Sequence, residues 1–173
     1  MSIHIIIDGY NLIRQSNSLS RLDSQDIQLG RESLLNELAA YRQIKRHRIT
    51  VVFDGANAPP LSPNKERIKG IKVKFSRSGE SADAVIKRMA AHEREKALIV
   101  SSDLEVVNFA ASKGAATISS RLFEEKLKMA AYTSLKGIES EDEDGWTPKT
   151  KKKGPSRRLS KKERRDRIKI KKL

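Results

Sequence analysis

Short apolar runs alternate with amphipathic stretches over roughly the first 137 residues of the chain. Runs rich in β-branched residues predict five strands, at Ile3–Ile7, Ile49–Phe53, Ile71–Phe75, Ala97–Val100 and Ala116–Ile118. The first, second and fourth runs are almost continuously apolar, as is typical of strands buried on both faces of a parallel sheet. The third alternates with lysines, so we expect it to be an edge or half-exposed strand.

The segments between these strands carry apolar residues at helical spacing. They predict helices at about Asp26–Lys45, after an N-cap at Ser81, at Leu104–Lys113 before Gly114, and at about Arg121–Lys136 before Gly137. Strands that alternate with helices predict an α/β fold, a three-layer α/β/α sandwich with a mostly parallel sheet. The proline-rich segment 56–69 is predicted to be an exposed loop.

The charge divides the chain into three regions. The total is +14, but residues 149–173 hold 14 lysines and arginines against 2 acids, which leaves +2 for residues 1–148. We therefore predict a domain at 1–137, an acidic linker at 138–148 that includes Trp146, and a disordered basic tail at 149–173. A helix from Ser160 to Leu173 could form when the tail binds nucleic acid, and arginines such as Arg157 and Arg158 could contact phosphates.

The chain has no cysteine. Disulfides, thiolate metal sites and cysteine nucleophiles are therefore excluded, which suits a reducing compartment. The N-terminal apolar run is too short for a signal peptide, and no apolar stretch approaches the roughly 18 residues of a membrane span. These features predict a cytoplasmic protein without a membrane partner.

Acidic residues stand where parallel strands end. Asp8, Asp54 and Asp103 each follow a predicted strand, and Glu80 and Asp83 stand at the start of the helix after Ser81. Since the crevice of an α/β sheet lies beyond the carboxyl ends of its strands, we expect these groups to converge. A turn or helix-cap role is the ordinary alternative for each of them.

Carboxylates that converge without basic partners repel one another unless a divalent cation neutralises them. An oxygen-rich site without cysteine suits one or two ions of Mg²⁺ or Mn²⁺, which can activate water for attack on a phosphodiester. We predict that Asp8, Asp83 and Asp103 are catalytic, that Glu80 assists them in holding the metal, and that Asp54 is a possible further acid. The candidate substrate-binding groups are Asn11, Ser101, Ser102, Lys72 and Lys74.

Other chemistries lack their motifs. The sequence has no phosphate-binding glycine loop of the P-loop or dinucleotide type, and no G-x-S-x-G elbow. Its three histidines, His4, His47 and His92, have no metal-ligand spacing, so we expect each to be structural or exposed.

Three segments together resemble the YacP-like branch of the NYN domain, within the PIN-like nuclease superfamily. They are Ile5–Ile13, Gly79–Ile86 and Val100–Asp103, with Val51–Gly55 between them. The resemblance covers about residues 3 to 137 and implies a PIN-like fold and metal-dependent RNA cleavage. By resemblance, the family's acidic positions are Asp8, Asp83 and Asp103, and its asparagine is Asn11. The chain departs from the family at Ala84, where related sequences often carry a second acid.

These features predict a metal-dependent endoribonuclease that binds RNA, and in one reading the ribosome, through its basic tail. A non-catalytic RNA- or ribosome-binding adaptor is the alternative, made credible by Ala84. A DNA nuclease also fits, since no residue is predicted to recognise the 2′-hydroxyl. The oligomeric state is open at this stage.

Overall fold

A computed structural model describes residues 3–58, 65–135 and 160–173 of the chain. Six strands form one sheet in the order β3-β4-β2-β1-β5-β6. The strands are β1 His4–Asp8, β2 Arg48–Phe53, β3 Lys65–Ile68, β4 Ile71–Phe75, β5 Ala97–Val100 and β6 Ala116–Ile118. Every neighbouring pair is parallel except β3 and β4, so the predicted mostly parallel α/β sheet is confirmed.

Helices cover both faces of the sheet. They are α1 Gly9–Gln15, α2 Asn17–Gln25, α3 Ile27–Lys45, α4 Ala82–Glu93, α5 Leu104–Ser112, α6 Ser120–Leu135 and α7 Lys161–Lys171. The four predicted helices correspond to α3, α4, α5 and α6 within one or two residues at their described ends. Ser81 caps α4 as predicted, and Gly114 follows α5 with φ +88°, the left-handed conformation typical of a helix end.

The central strand β1 shows why its sequence is continuously apolar. Ile5 and Ile7 point into a core shared with α1, α2, α3 and α6, whereas Ile6 points into a second core beneath α4 and α5. Successive side chains of a strand point to opposite faces, so a strand covered on both sides has no solvent-facing position. The three-layer arrangement follows directly from this pattern.

One edge of the sheet differs from the prediction. Residues 65–68, expected to be part of a loop, form the edge strand β3, which pairs antiparallel with β4. Strand β4 is therefore not an edge strand, although its alternating burial agrees with a half-exposed one. The rest of the expected loop that is described forms a one-turn 3₁₀ helix at Gly55–Asn57.

Helices α1 and α2 were not predicted. They are seven and nine residues long, too short to display a clear apolar period. Helix α1 begins directly after β1, with Asp8 as its N-cap, so the strand-ending acid and the helix start are one feature of the chain.

The prediction of a disordered tail is wrong for residues 160–173. Helix α7 begins with a capping box, in which the Ser160 hydroxyl accepts the N–H of Glu163 and the Glu163 carboxylate accepts the N–H of Ser160. Leu173, at the end of this segment, is 4% exposed and belongs to the larger core. The hydroxyl of Tyr41 donates to the Leu173 carbonyl at 3.0 Å. Ile170 packs against the same core, so two apolar residues contribute to holding an otherwise charged segment against the domain.

The acidic linker, Trp146, Arg157 and Arg158 lie outside the described residues, as does Gly137. In the part of the chain that the structure does describe, none of the helices has the length and apolarity that crossing a membrane requires.

Candidate functional site

A pocket of about 510 Å³ opens at the carboxyl edge of the sheet. Four aspartates line it, and they come from four separate places in the sequence: Asp8, Asp54, Asp83 and Asp103. Strand β2 lies on one side of β1, and β5 lies on the other side. The strand order therefore reverses between β1 and β5, and the carboxyl ends of these two strands border the topological switch point. The structure therefore brings together four of the five acids that were expected to converge, and their roles in metal binding and catalysis stay predictions.

Asp8 is the most buried of the four, with 7% exposure. One carboxylate oxygen accepts the backbone N–H of Asn11 at 3.1 Å, and the other faces the Ser101 hydroxyl at 3.4 Å. Burial, together with the nearby charges of Asp83 and Asp103, raises the pKa of Asp8 from 3.8 to about 6. A carboxylate in this setting is poised to bind a cation or a proton.

Asp83 and Asp103 lie close enough to influence each other. Asp103 is the N-cap of α5, where its side chain accepts the N–H groups of Glu105 and Val106 at 2.7 and 3.1 Å. Asp83 stands in the first turn of α4, and burial together with the Asp103 charge raises its pKa. Asp8 and Asp54 are N-caps as well, so a helix start explains why each acid is tolerated singly, but it does not explain why all four meet in one pocket.

Asn11 and the predicted serines hold the site together. The Asn11 side-chain oxygen accepts the backbone N–H of Ser102 at 2.9 Å and the hydroxyl of Ser120 at 2.7 Å. The buried Ser101 hydroxyl accepts the N–H of Asp103 at 3.1 Å, and the Ser102 hydroxyl accepts the N–H of Ser120 at 3.2 Å. Among Asn11, Ser101 and Ser102, which were all predicted to bind substrate, only Asn11 lines the pocket.

The other predicted site residues lie elsewhere. Glu80 does not line the pocket, and it forms an ion pair with Arg88 that lowers the pKa of Glu80. Lys72 and Lys74 line a separate cleft, on the side of the sheet that α4 covers. The metal role of Glu80 and the substrate role of the two lysines stay predictions.

Sequence reasoning missed the polar side chains that α1 contributes to the pocket besides Asn11, which are Tyr10, Arg14 and Gln15. Arg14 is the single cation among the residues that line the pocket in the described part of the chain. Its spacing of three from Asn11 places both on one helical face, which could have been recognised had α1 been predicted.

The donor atoms of the pocket fit Mg²⁺ or Mn²⁺, since carboxylate and amide oxygens are the ligands these ions prefer. The fit is incomplete in one respect. Over residues 3–58, 65–135 and 160–173, no three acidic or histidine side chains are grouped closely enough to hold one ion among them. Mg²⁺ is commonly bound by only one or two carboxylates, with water and substrate phosphates as its other ligands, and the pocket allows that mode of binding.

The sheet order, the helices on both faces and the aspartates at the switch point agree with the PIN-like nuclease fold that the sequence resemblance implied. Residues 5–172 match the family described as the YacP-like NYN domain, and the chain belongs to that family. The match extends through α7, beyond the residue 137 limit that the sequence resemblance suggested.

Individual proteins agree with this assignment. The uncharacterized protein YacP of Bacillus subtilis (strain 168) is 29% identical over 86 residues, so the match spans half the length of each protein. The crystal structure of Rae1 (YacP) from Bacillus subtilis has a TM-score of 0.66 at 24% identity, over 80% of each chain. A tryptophan-to-leucine variant of the same protein gives 0.65 at 21% identity, over 78% of this chain and 80% of that one. At these identities the structural matches establish the fold.

Proposed function

We propose that the protein is a metal-dependent endoribonuclease whose active site is the aspartate pocket. The observation that carries the proposal is the convergence of Asp8, Asp54, Asp83 and Asp103 in one pocket, in which Arg14 is the single cation among the described lining residues. Burial of Asp8 without a paired base costs folding free energy, as the raised pKa indicates. Carboxylates with strongly raised pKa values are found preferentially at functional sites. Membership of the YacP-like NYN domain family favours a reaction on nucleic acid.

Asp8 and Asp103 are the residues we expect to hold Mg²⁺ or Mn²⁺, and Asp83 lines the same pocket. When bound, the ion would lower the pKa of a water molecule and neutralise charge on the phosphodiester. Asp83 is less buried than Asp8 and its pKa is also raised, so it can orient or deprotonate the attacking water. Arg14 lines the same pocket, and its guanidinium can form paired hydrogen bonds to the phosphate oxygens of a substrate.

The RNA substrate is inferred from the family and from the charge of the chain, whose excess lies in residues 149–173. We place the protein in the cytoplasm, as the absence of cysteine suggests. The ribosome is one candidate partner, because it would present RNA to a basic surface.

The helix caps allow a clean test of this site. Asp8, Asp26 and Asp103 are the N-caps of α1, α3 and α5, and asparagine is as good a cap as aspartate. Asp8→Asn and Asp103→Asn therefore remove charge while keeping the fold, and Asp26→Asn is the matched control outside the pocket. Cleavage of a labelled single-stranded RNA is measured with Mn²⁺, with Mg²⁺ and with EDTA. We expect metal-dependent cleavage by the wild type and the control, and a loss of at least about 100-fold in both pocket variants. Equal cleavage by all four proteins, or cleavage in EDTA, would contradict the proposal.

An RNA-binding adaptor is the second candidate, favoured by Ala84 and by the lack of a three-ligand metal group among the described residues. An adaptor binds RNA equally well with and without divalent metal, and its affinity is unchanged in Asp83→Asn. The wild-type protein would then show salt-sensitive RNA binding with no metal-dependent cleavage.

A further inference from the structure

A second cavity, of about 630 Å³, lies on the α4 side of the sheet, away from the aspartate pocket. Residues of β1, β2 and β4 form its floor, and the last turns of α3 and α4 form two of its walls. We call it the basic cleft, because its lining includes seven cationic residues: Arg42, Arg46, Arg48, Arg67, Lys72 and Arg88, together with Lys74. It shares no lining residue with the aspartate pocket.

The positive charge of the basic cleft is not balanced. Glu93 is the single acid in its described lining, and its carboxylate is already occupied by Arg48 at 2.7 Å and by His4 Nδ1 at 2.8 Å. Within the described residues, Arg42, Arg46, Arg67 and Lys72 form no ion pair. Desolvation and the neighbouring cations, Lys72 first among them, lower the pKa of Lys74. Such a concentration of like charge is unfavourable in the free protein and is relieved by an anion.

The floor of the cleft is held in place by buried hydrogen bonds. His4, with 6% exposure, bonds through Nε2 to the Thr50 hydroxyl at 2.8 Å and through Nδ1 to the Glu93–Arg48 pair. His47 and His92 also line the cleft, so all three histidines of the sequence, separated by more than 40 residues, meet here. Gly70, at φ +82°, allows the Arg42 guanidinium to lie against the backbone, since a Cβ there would stand 2.5 Å from Arg42 Nη1.

The cleft continues along the docked C-terminal helix. A neighbouring groove of about 910 Å³ runs between α7 and residues 92–96, and it shares Arg48, His92 and Glu93 with the basic cleft. Arg165, Lys169 and Lys172 of α7 line this groove. Arg165 pairs with Glu95, and Lys169 donates to the Glu95 carbonyl, so α7 is attached with its charged side chains beside the cleft.

The shape and chemistry identify the ligand. A long groove lined by cations suits a chain of phosphates, whereas none of the described lining residues is a phenylalanine, tyrosine or tryptophan on which a base could stack. We propose that the basic cleft and the α7 groove form one continuous exosite that binds the sugar–phosphate backbone of single-stranded RNA, independently of sequence and away from the aspartate pocket. This inference deepens the proposed function and rests on RNA being the substrate.

The test is RNA binding by the full-length protein in EDTA, where metal-dependent cleavage is absent. Arg46→Glu with Arg67→Glu reverses two exposed charges of the cleft that have no ion pair in the described structure. The matched control is Arg21→Glu with Lys126→Glu, on α2 and α6 outside both grooves. We expect the cleft variant to bind an RNA of about 20 nucleotides at least tenfold more weakly at low salt. The slope of log affinity against log salt should also become shallower, by an amount that corresponds to the loss of roughly one to two phosphate contacts. The control should change affinity by less than about twofold to threefold.

Two further measurements keep the proposal falsifiable. The double variant Arg42→Gln with Lys72→Gln, which neutralises two charges, should also bind the same RNA more weakly than the wild type. Thermal melting checks that each variant is folded. An RNA of about four nucleotides should bind far more weakly than the longer one, because it spans only part of the exosite. The exosite proposal would be overturned if the cleft and control variants lost RNA affinity equally. It would also be overturned if the wild type bound inorganic triphosphate as tightly as the long RNA.

The outcomes also separate this inference from the proposed function. If the wild type cleaves RNA but the cleft variants bind it normally, the exosite is wrong and the nuclease stands. If the cleft variants lose affinity but the wild type cleaves nothing with Mg²⁺ or Mn²⁺, the exosite stands and the nuclease proposal fails.

Discussion

The side-chain oxygen of Asn11 accepts the backbone N–H of Ser102 at 2.9 Å, although 91 residues separate the two in sequence. The same oxygen accepts the Ser120 hydroxyl at 2.7 Å. These bonds connect the start of α1, the loop after β5 and the start of α6. Because that loop leads into Asp103 and Asp8 is the N-cap of α1, Asn11 links the two segments that carry these aspartates.

Loss of this connection should be measurable as stability. We expect Asn11→Ala to lower the free energy of unfolding by about 1–3 kcal/mol, because it leaves the N–H of Ser102 without its acceptor. Urea unfolding measures the change. Asn108→Ala, at an exposed position on α5, is the matched control and should be neutral or slightly stabilising, since alanine favours the helix. Equal destabilisation by both changes would show that the connection contributes nothing particular.

The raised pKa of Asp8 makes stability depend on pH. The folded protein binds the Asp8 proton more tightly than the unfolded chain, because its pKa is about 6 when folded against a reference value of 3.8. The contribution of Asp8 is therefore most favourable below about pH 4 and is lost as the pH rises through about 6. Asp8→Asn removes the buried charge, so we expect it to be more stable than the wild type by about 1–3 kcal/mol at about pH 7.5. The advantage should disappear below about pH 4.

Urea unfolding of both proteins across this pH range, in EDTA, tests that dependence. Asp26→Asn alters an exposed cap and should show no such gain at neutral pH. A pH-independent difference between Asp8→Asn and the wild type would mean that Asp8 carries no burial penalty.

Divalent metal should stabilise the protein through the same carboxylates. A ligand that binds only the folded state adds RT ln(1 + [L]/Kd) to the free energy of unfolding, about 2.7 kcal/mol at a concentration 100 times its Kd, and therefore raises Tm. We expect Mn²⁺ to raise the Tm of the wild type and of Asp26→Asn, and to leave Asp8→Asn and Asp103→Asn unchanged. Chelation with EDTA should reverse the shift. A Tm increase that persists in both pocket variants would place the metal elsewhere.

The docked C-terminus should contribute to stability. Leu173 is 4% exposed, whereas Ile168 on the same helix is 56% exposed. We expect Leu173→Ala to cost about 2–4 kcal/mol, through the cavity it leaves and the detachment of α7. Ile168→Ala should cost less than about 1 kcal/mol. Urea unfolding measures both, and faster proteolysis near residue 160 in Leu173→Ala would report detachment. Equal costs would show that α7 is not anchored by its last residue.

The sequence by itself determined the α/β class, because strands buried on both faces need continuous apolar runs, as in Ile5–Ile7. It also located Asp8, Asp83 and Asp103, since parallel strands end at one edge and helix starts tolerate acids. It did not reveal α1, which is too short for a visible period, or β3, whose four residues alternate without a marked apolar face.

Tertiary structure decided the features that depend on distant residues meeting. Lys72 and Lys74 were predicted to bind substrate, and the direction of their side chains on β4 places them in the basic cleft and not in the aspartate pocket. The three histidines had no local spacing and meet only because β1 begins, and α3 and α4 end, at the same edge of the sheet. Helix α7 had a charged sequence typical of a disordered tail, yet burial of Leu173 beneath Tyr41 holds it against the domain. A few buried contacts across more than 100 residues outweigh local composition there, and no local pattern encodes such contacts.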